Sequence, residues 1–380
     1  MGKIELDHTG SGGGVTLSSD GTDLLLDGTA IGGGGGAALE LYAENYDGTS
    51  TKPSATGTNT IAIGQSAVAG NADDGIAIGR GANCGTATQN IAIGAFSDCG
   101  FNSFAMALGR LAQATGGSSL ALGVDSAASH DKSVAIGKSN SNGDDSFAAQ
   151  IVNNTTSYGA QGNNSIAMGS LSKATGGGSC AIGQAAQATT NYAYSIGFGS
   201  LASGNYSFSA GRDTTASARG TVALGEASLA SIQGKMSFAA SRFTAQGDAQ
   251  SGTFVLRSDT TDATPEALTT SNSAAGTTNQ VILPNNSAYA FHGTIVARQQ
   301  ASAGTASAAW KVEGLIRREG SAGTTVLVNS ATTVLDNTPS WGLALSADTT
   351  NGGLKVEATG AASTNIRWVS TIHTTEVTYA

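Results

Sequence analysis

A four-residue phrase recurs along the middle of the chain: an apolar residue, Ala or Ser, a second apolar residue, and Gly. Successive closing glycines lie 15, 15, 15, 14 and 14 residues apart, then 32, and then 14 residues apart four times. These eleven glycines are Gly64, Gly79, Gly94, Gly109, Gly123, Gly137, Gly169, Gly183, Gly197, Gly211 and Gly225. A unit this short cannot be an independent domain, so each copy must stack on its neighbours along an axis.

One copy of the repeat predicts two short strands. Ile61-Ala62-Ile63 alternates large and small residues, which is typical of a β-strand. Beyond the corner at Gly64, the small residues Ala67 and Ala69 mark a second alternating stretch. The sequence therefore predicts an all-β fold, a parallel β-roll or solenoid of 14–15-residue rungs, with glycine at corners where φ is positive.

Two short strands per rung enclose only a thin core, and the second face of each rung is also small and apolar. We therefore expect three chains to bury these faces around a common axis as a homotrimer. Cys84 and Cys99 occupy one column a rung apart. These cysteines could form a redox pair or a metal site, or they could replace alanine as small buried hydrophobes. We favour the second interpretation, because nearly every other residue in the column is small. Cys180, at a large apolar position, is interpreted in the same way.

Composition excludes several classes of protein. Charged residues are 12% of the chain and the net charge is −9, so no basic cluster is present to bind nucleic acid or anionic lipid. The sequence contains no run of 18 apolar residues that would predict a membrane-spanning helix. Met1 to Gly14 lacks the pattern of a secretory signal. We expect assembly in a cytoplasm.

The phrase Asn90-Ile91-Ala92-Ile93-Gly94, repeated with small residues at fixed offsets, resembles the head repeats of trimeric autotransporter adhesins. The resemblance covers about residues 59–241 and implies a left-handed parallel β-roll that exists as a trimer. The chain differs from that family in lacking a secretion signal and an apolar coiled-coil stalk. Similar repeats occur in tail and fibre proteins of bacteriophages, which need no signal.

The segments on either side of the repeats predict different structures. Residues 1–58 contain short strand candidates at Ile4-Glu5-Leu6, Val15-Thr16-Leu17 and Leu24-Leu25-Leu26, and a glycine linker at Gly32 to Gly36. This segment is either a module that attaches the chain to a larger particle or a frayed cap. Residues 59–246 form the repeat region, in which a degenerate rung at Phe147–Gln150 precedes extra residues that must leave the stack as a loop.

From about Gly247 the period disappears and the strand candidates lengthen, which predicts an antiparallel β-sandwich or jelly-roll knob over residues 247–380. The candidates are Thr253–Arg257, Gln280–Leu283, Ala288–Arg298, Ala308–Arg318, Thr324–Asn329, Trp341–Ala347, Leu354–Ala358 and Ile366–Thr378. The stretches Gly247-Asp248-Ala249-Gln250 and Trp310-Lys311-Val312-Glu313-Gly314 resemble carboxyl-terminal domains of phage virion proteins.

Aromatic residues supply the candidates for receptor contact. We expect Trp310 and Trp368 in the knob core, because they alternate with apolar residues. Trp341 follows Pro339-Ser340 at a strand entry and is expected to be exposed. Trp341 and Tyr158, which lies in the insertion, are the candidate receptor-contact residues.

Catalytic patterns are missing from the sequence. The four histidines share no spacing, and no HExxH, GxSxG or phosphate-binding loop occurs. Asp144-Asp145 is too sparse a ligand set to predict a cation site. We therefore expect no catalytic residues, no metal and no cofactor. A glycan-cleaving spike would need paired carboxylates in a groove, a spatial relationship that sequence does not give.

The sequence predicts a structural virion protein, a homotrimeric tail fibre or spike. Its amino-terminal segment would dock on other virion proteins, and its knob would bind a host surface glycan or protein through three sites at once. The alternatives are a capsid fibre or decoration protein, and a bacterial trimeric surface adhesin.

Overall fold

The computed structural model describes residues 51–71, 73–152, 157–300 and 306–379, together with the backbone of five amino-terminal strands. The chain divides into two units, Met1–Leu111 and Ala112–Ala380, which are described separately. Across the described residues, the regular structure consists of β-strands and one short 3-10 helix at Ala322–Thr324, with no α-helix. The prediction of an all-β fold is confirmed.

The first unit begins with an antiparallel sheet of four strands, and three of the predicted amino-terminal strands are present in it. Its strands are Ile4–Leu6, Val15–Ser19, Leu24–Leu26 and Thr29–Ala30, in that order across the sheet. A further strand, Leu39–Leu41, pairs in parallel with Ile61–Ile63. The predicted glycine linker at Gly32 to Gly36 lies outside the described residues.

Parallel rungs follow in the first unit. The first strands of the rungs pair in register, so that Ile61, Ile76, Ile91 and Met106 form one column. They are Ile61–Ile63, Ile76–Ile78, Ile91–Ile93 and Met106–Leu108. The other side of the rungs is a ladder that starts with Ser54–Ala55 and Val68–Ala69 and continues as single bridges from Val68 to Asn83 to Asp98.

The second unit repeats this arrangement over nine rungs with two parallel sheets. The first-side strands are Leu120–Leu122, Val134–Ile136, Phe147–Ala149, Ile166–Met168, Cys180–Ile182, Tyr194–Phe198, Phe208–Arg212, Val222–Glu226 and Met236–Ala239. The second-side strands are Gln113–Ala114, Ala127–Ala128, Asn140–Ser141, Gly159–Ala160, Lys173–Ala174, Gln187–Ala188, Leu201–Ala202, Thr215–Ala216 and Leu229–Ala230. The predicted parallel β-solenoid is thus confirmed.

Small residues fill the interior of the rungs. The central residue of each first strand points inward, as in Ala181, and meets the inward residue of the second strand, as in Ala188; both are fully buried. Some serine hydroxyls inside the solenoid pair with each other, and Ser195 Oγ lies 2.7 Å from Ser200 Oγ. The large residues of the first strand consequently point outward. The expectation that the small faces meet between chains is therefore wrong, because those faces already pack against each other within one chain.

The corner glycines are held by the rung above. Gly197 has φ +121°, and a Cβ added there would lie 2.0 Å from the carbonyl oxygen of Gly211 in the next rung. Only glycine allows both this backbone angle and so close an approach of two successive rungs. Gly79, Gly94, Gly183 and Gly211 approach the next rung in the same way, whereas a Cβ at Gly137 would meet nothing within 4 Å. Glycine at most corners is thus a requirement of stacking at the spacing of hydrogen-bonded strands.

The long interval between Gly137 and Gly169 contains one complete rung with an insertion. The predicted degenerate rung is present as Phe147–Ala149, which pairs with Val134–Ile136 on one side and Ile166–Met168 on the other. The additional residues lie between Gln150 and Gly159, and residues 153–156 of this segment are outside the described part.

The knob consists of two antiparallel sheets that enclose one apolar core, as the sandwich prediction requires. The large sheet contains, in spatial order, Ala249–Thr260, Ile366–Thr378, Ser287–Gln299, Ser307–Arg318 and Val326–Asp336. In the small sheet, Gly353–Thr359 pairs on one edge with Gly342–Asp348 and on the other with Pro265–Ala267 and Val281–Ile282. Phe254, Trp368 and Val356 meet in the core between the sheets.

All eight predicted knob strands are present, with two differences in detail. The candidate Thr324–Asn329 is displaced, because Ala322–Thr324 forms the 3-10 turn and the strand begins at Val326. The short strand Pro265–Ala267 is not predicted by the sequence pattern, since it starts at a proline and is held by its pairing with Gly353–Thr359.

Candidate functional site

An exposed apolar stripe follows the outer face of the first-side sheet in the second unit. In-register pairing places the outward residues of successive rungs directly above one another, so that Met168, Ile182 and Ile196 form one column. The exposed large residues of the stripe are Leu122, Ile166, Met168, Ile182, Tyr194, Ile196, Phe198, Met236 and Phe238. Nine rungs at about 4.8 Å give a stripe roughly 40 Å long. An apolar surface of this length on one chain is typical of a protein–protein interface.

A second exposed feature is a short ladder of aromatic rings at the turns that precede the first strands. Tyr192 and Tyr206, one rung apart, stack with ring centroids 5.5 Å apart and an interplanar angle of 4°. The Arg219 guanidinium lies 5.5 Å from the Tyr206 ring centroid. Both tyrosines have positive φ and are more than half exposed, yet Gly178, Tyr206 and Arg219 cover the ring faces. Only the ring edges and the hydroxyls therefore face solvent.

The last solenoid rung is joined to the knob by a buried polar network. Lys235 Nζ lies 2.6 Å from Glu376 Oε2, and Gln250 Nε2 and Thr374 Oγ1 donate to the same carboxylate at 2.7 and 2.6 Å. Burial lowers the pKa of Lys235, while the Glu376 charge opposes that shift. Tyr289 packs beside the pair, and burial together with the Glu376 charge raises the pKa of its phenol.

Two glutamine side chains close the end of the second-side sheet. The Gln250 amide donates to the carbonyl oxygen of Leu229 at 3.0 Å and accepts from its N–H at 2.9 Å, as a neighbouring strand would. Gln246 Nε2 donates to the Asp213 carbonyl oxygen and to Thr215 Oγ1. These contacts satisfy backbone groups that the end of a parallel stack leaves unpaired. The sequence gives no signal for this role, since both glutamines lie beyond the last repeat.

The tryptophan predictions have different outcomes. Trp310 and Trp368 are buried in the knob core, as predicted, with ring centroids 5.5 Å apart. The expectation that Trp341 is exposed is wrong: it is 5% exposed, and its ring lies 5.8 Å from that of Trp368. Asn337 holds Trp341 in place through two hydrogen bonds to its backbone. A buried indole cannot contact a receptor, so Trp341 is removed from the receptor-contact candidates.

Tyr158, the other receptor-contact candidate, is half-buried beside the insertion. It packs against the alanine core of the solenoid, and its carbonyl oxygen accepts a hydrogen bond of 3.2 Å from Gln161 Nε2. Its ring therefore offers less free surface than the stacked tyrosines. The structure does not bring Tyr158 together with Trp341, which lies in the knob core.

The three cysteines are free thiols. Cys84 and Cys99 are fully buried inside the first unit, and Cys99 Sγ lies 3.2 Å from the carbonyl oxygen of Ile91. Burial raises the pKa of Cys84, and that of Cys99 to about 12, so both remain protonated at neutral pH. The half-buried Cys180 also has a raised pKa because of burial. A protonated buried thiol is a poor nucleophile, which agrees with the interpretation as small hydrophobes.

Titratable residues are dispersed over the described ranges, where no group of three His, Cys, Asp or Glu side chains could hold a metal ion. His292 and His373 stack at 5.2 Å on the outer face of the large sheet, and His373 Nδ1 lies 3.1 Å from Thr253 Oγ1. His8 is outside the described residues. Of the two adjacent carboxylates Asp144 and Asp145, Asp145 forms a long ion pair, in which its Oδ1 lies 3.9 Å from Lys132 Nζ.

Two knob carboxylates, Asp259 and Glu266, line one cavity of about 310 Å³. Asp259 accepts from Arg367 Nε at 3.2 Å, and Glu266 accepts from Ser258 Oγ at 2.9 Å. Each of the two carboxylates thus has a hydrogen-bond donor within the knob.

The part of the chain that the structure describes contains no helix with the length and apolar character of a membrane span.

No curated protein sequence matches the chain. Three solved structures are weakly similar. A tailspike protein gp49 from Acinetobacter baumannii bacteriophage Fri1, a capsular polysaccharide depolymerase, is 11% identical over 85% of this chain and 49% of that one, with a TM-score of 0.24. The tailspike protein of Acinetobacter phage vB_ApiP_P1 is 10% identical over 82% and 65%, with a TM-score of 0.22.

The third, the tailspike protein of Acinetobacter baumannii phage AM24, is 11% identical over 83% of this chain and 56% of that one, with a TM-score of 0.18. The chain thus spans between about half and two thirds of the length of these tailspikes. At these TM-scores the similarity carries no argument about activity.

A family model matches the repeat region directly. The model is the YadA head domain repeat (2 copies), and the matched residues are 55–82, 104–126, 114–140, 160–186 and 202–228. These ranges contain nine of the eleven corner glycines, all except Gly94 and Gly197, together with many of the inward alanines. Over these residues the solenoid of this chain therefore matches the YadA head domain repeat, which agrees with the resemblance to the head repeats of trimeric autotransporter adhesins.

Proposed function

We propose that the chain is a structural subunit of a homotrimeric attachment fibre that is carried on a phage tail. The solenoid serves as a stiff spacer, and the knob binds a glycan or protein receptor on the surface of the host cell. The observation that carries this proposal is the apolar stripe on a solenoid of adhesin head repeats. A monomer would leave that stripe in water, whereas three chains around one axis bury it.

The charge of the chain is consistent with attachment to a cell surface rather than to nucleic acid. The net charge of −9 includes only 18 Lys and Arg residues. A trimer multiplies weak receptor contacts, since the second and third sites bind at a high effective concentration. The amino-terminal segment, residues 1–58, is proposed to join the fibre to other virion proteins, and residues 59–246 and 247–380 are proposed as the spacer and the knob.

The location of the protein decides between a tail fibre, a capsid fibre and a bacterial surface adhesin. Gold-labelled antibodies raised against the folded full chain would be applied to intact particles and to uninfected cells, with pre-immune antibodies as the control. Labelling at the tail tip supports the proposal. Labelling distributed over the capsid identifies a decoration protein, and labelling of uninfected cells identifies a bacterial adhesin; either result overturns the tail assignment.

We further propose that the fibre binds without cleaving. Asp259 and Glu266, the two carboxylates that line one knob cavity, each accept a hydrogen bond from a neighbouring side chain, Arg367 and Ser258 respectively. Host polysaccharide would be incubated with the purified chain, and its length would be followed by size-exclusion chromatography. An unchanged elution profile supports a non-enzymatic fibre. Shortening that disappears in the D259N/E266Q variant would establish a glycan-cleaving spike instead.

A further inference from the structure

A cavity of about 360 Å³ lies where the last solenoid rung meets the knob. Its volume is within the range of sites that bind small molecules. One wall is apolar and combines Leu229 of the solenoid with Ile282 and Pro284 of the knob. Polar side chains line the remainder, and two of them, Arg318 and Thr378, carry atoms that the protein does not satisfy.

Arg318 is a cation in the lining of this cavity that has no carboxylate partner in the described part of the chain. Its Nη1 donates to the carbonyl oxygen of Leu283 at 2.7 Å, whereas its Nε is buried and has no hydrogen-bond partner. Within the described residues, no carboxylate forms an ion pair with Arg318, although its neighbour Arg317 pairs with Glu319 at 3.5 Å. Thr378 Oγ1 is also buried without a partner and lines the same cavity. Twelve buried side-chain atoms of the described residues have no hydrogen-bond partner, and these two are the ones whose residues line this cavity. A bound ligand is one explanation for a buried polar atom without a partner.

The other charged side chains at the cavity already have partners within the protein. Lys235 is neutralised by Glu376 at 2.6 Å. The Asp248 carboxylate accepts from the backbone N–H groups of Phe243, Thr244 and Ala245 at 2.7–2.9 Å. Arg318 is therefore the one cation in the lining that no carboxylate of the described residues pairs with, and a guanidinium binds a carboxylate more strongly than a neutral acceptor.

We propose that this cavity binds a carboxylated sugar, a unit such as a hexuronic acid of a surface polysaccharide. The carboxylate is bound by Arg318, a ring hydroxyl is bound by Thr378 Oγ1, and the apolar face of the sugar ring packs against the wall formed by Leu229, Ile282 and Pro284. The proposal rests on the proposed function in that the ligand is taken to be a surface glycan. It adds the class of sugar and the place of binding.

Binding of D-glucuronate to the purified full chain would be measured by titration calorimetry. D-Glucose, which lacks the carboxylate, and acetate, which lacks the sugar ring, are the comparison probes. We expect D-glucuronate to bind more tightly than either probe. Replacement R318Q should weaken D-glucuronate binding by about tenfold or more, because a charge-assisted hydrogen bond is lost. T378V should weaken it by a smaller factor.

The matched control is R317Q, which removes the same charge from the adjacent residue, where the arginine is exposed and paired with Glu319. It should leave binding unchanged. Thermal melts of each variant separate a loss of binding from a loss of folding.

Three results would overturn the proposal: equal affinity for D-glucose, equal affinity for acetate, or equal losses in R317Q and R318Q. Absence of any D-glucuronate binding by the folded chain would also overturn it. Because the assay uses free sugars, its failure leaves attachment through another surface intact, whereas the labelling experiment tests the fibre itself.

Discussion

Lys235 Nζ lies 2.6 Å from Glu376 Oε2, and the two side chains are only 4% and 0% exposed. Lys235 belongs to the turn before the last solenoid strand, Met236–Ala239, whereas Glu376 lies in the last knob strand, Ile366–Thr378. This ion pair therefore ties the end of the repeat stack to the knob. The partners differ in what else they contact: Glu376 has two further donors, whereas Lys235 faces the rings of Phe254 and Tyr289.

The first prediction concerns this pair. E376Q leaves a buried ammonium without a counter-charge and should lower the free energy of unfolding by about 3–5 kcal/mol. K235M should cost less, because the carboxylate keeps its contacts with Gln250 and Thr374. The double variant K235M/E376Q should recover part of the loss, since no buried charge remains. Urea denaturation of the four proteins gives the coupling free energy.

An exposed pair in the same knob is the control. Lys311 and Glu313 lie 3.6 Å apart and are more than half exposed. E313Q should change the free energy of unfolding by less than about 1 kcal/mol, because water screens the charges. If E376Q and E313Q have equal effects, the buried pair does not hold the knob to the solenoid.

The second prediction concerns the apolar stripe. Met168 and Ile196 lie in one outward column, two rungs apart. M168E/I196E places charges on the surface where three chains are proposed to meet, so the molar mass in solution should fall from about 112 kDa, three times 37.4 kDa, to that of one chain. Light scattering coupled to size-exclusion chromatography measures the mass.

Q113E/Q187E adds the same charge at two exposed positions of the second-side sheet and should leave the trimer intact. A wild-type mass of 37.4 kDa would contradict the trimer outright. Dissociation of both variants would mean that net charge, rather than the stripe, controls assembly.

The regular part of the fold was predictable because one constraint is repeated in every rung. A strand pattern of period two, closed by glycine at a fixed step, leaves few structures other than stacked parallel rungs. The degenerate rung at Phe147–Ala149 followed from the arithmetic of the long interval, and the strand Ile366–Thr378 followed from its uninterrupted alternation.

The sequence was less informative about which face of each strand points inward and about contacts between residues far apart in the chain. The alternation in Ile61-Ala62-Ile63 separates two faces but does not say which is inside, and only the facing alanines of the second strand show that the large residues point outward. Trp341 is buried because Trp368, 27 residues later, comes back against it. The pairing of Lys235 with Glu376, separated by 141 residues, has no local signal at all.

The third prediction concerns thiol reactivity. Cys84 and Cys99 are fully buried, and burial raises their pKa values, that of Cys99 to about 12. Neither should react with Ellman's reagent in the native protein at pH 8, because reaction requires an accessible thiolate. All three thiols should react in guanidinium chloride, which is the control. Rapid native reaction of C180S, which retains only Cys84 and Cys99, would show that the first unit opens readily.

The fourth prediction concerns acid stability. The Asp248 carboxylate is desolvated, which raises its pKa, but three backbone N–H groups and the Thr244 hydroxyl outweigh this and hold the pKa below its usual value of 3.8. Since the folded state binds the proton less readily than the unfolded state, Asp248 stabilises the fold above pH 3.8, and this contribution is lost as the pH falls below that value.

D248N should therefore melt at a lower temperature than the wild type at pH 7, and the difference should shrink below pH 3.8. Differential scanning calorimetry at a series of pH values measures it. D262N is the control, because Asp262 also has a lowered pKa but lies in an exposed turn with one backbone donor, Thr264. A constant difference between D248N and the wild type at all pH values would exclude an ionic role for Asp248.

The last prediction separates corner glycines from other glycines of the same rungs. G197A forces a Cβ to 2.0 Å from the Gly211 carbonyl oxygen at φ +121°, so the two rungs must separate, and the free energy of unfolding should fall by about 1–3 kcal/mol or more. Gly177 lacks a positive φ, and its added Cβ would meet nothing closer than 3.5 Å. G177A should be neutral or slightly stabilising, because alanine restricts the unfolded chain. Chemical denaturation of both variants measures the contrast, and equal stability of G197A and G177A would show that the corner glycines do not set the rung spacing.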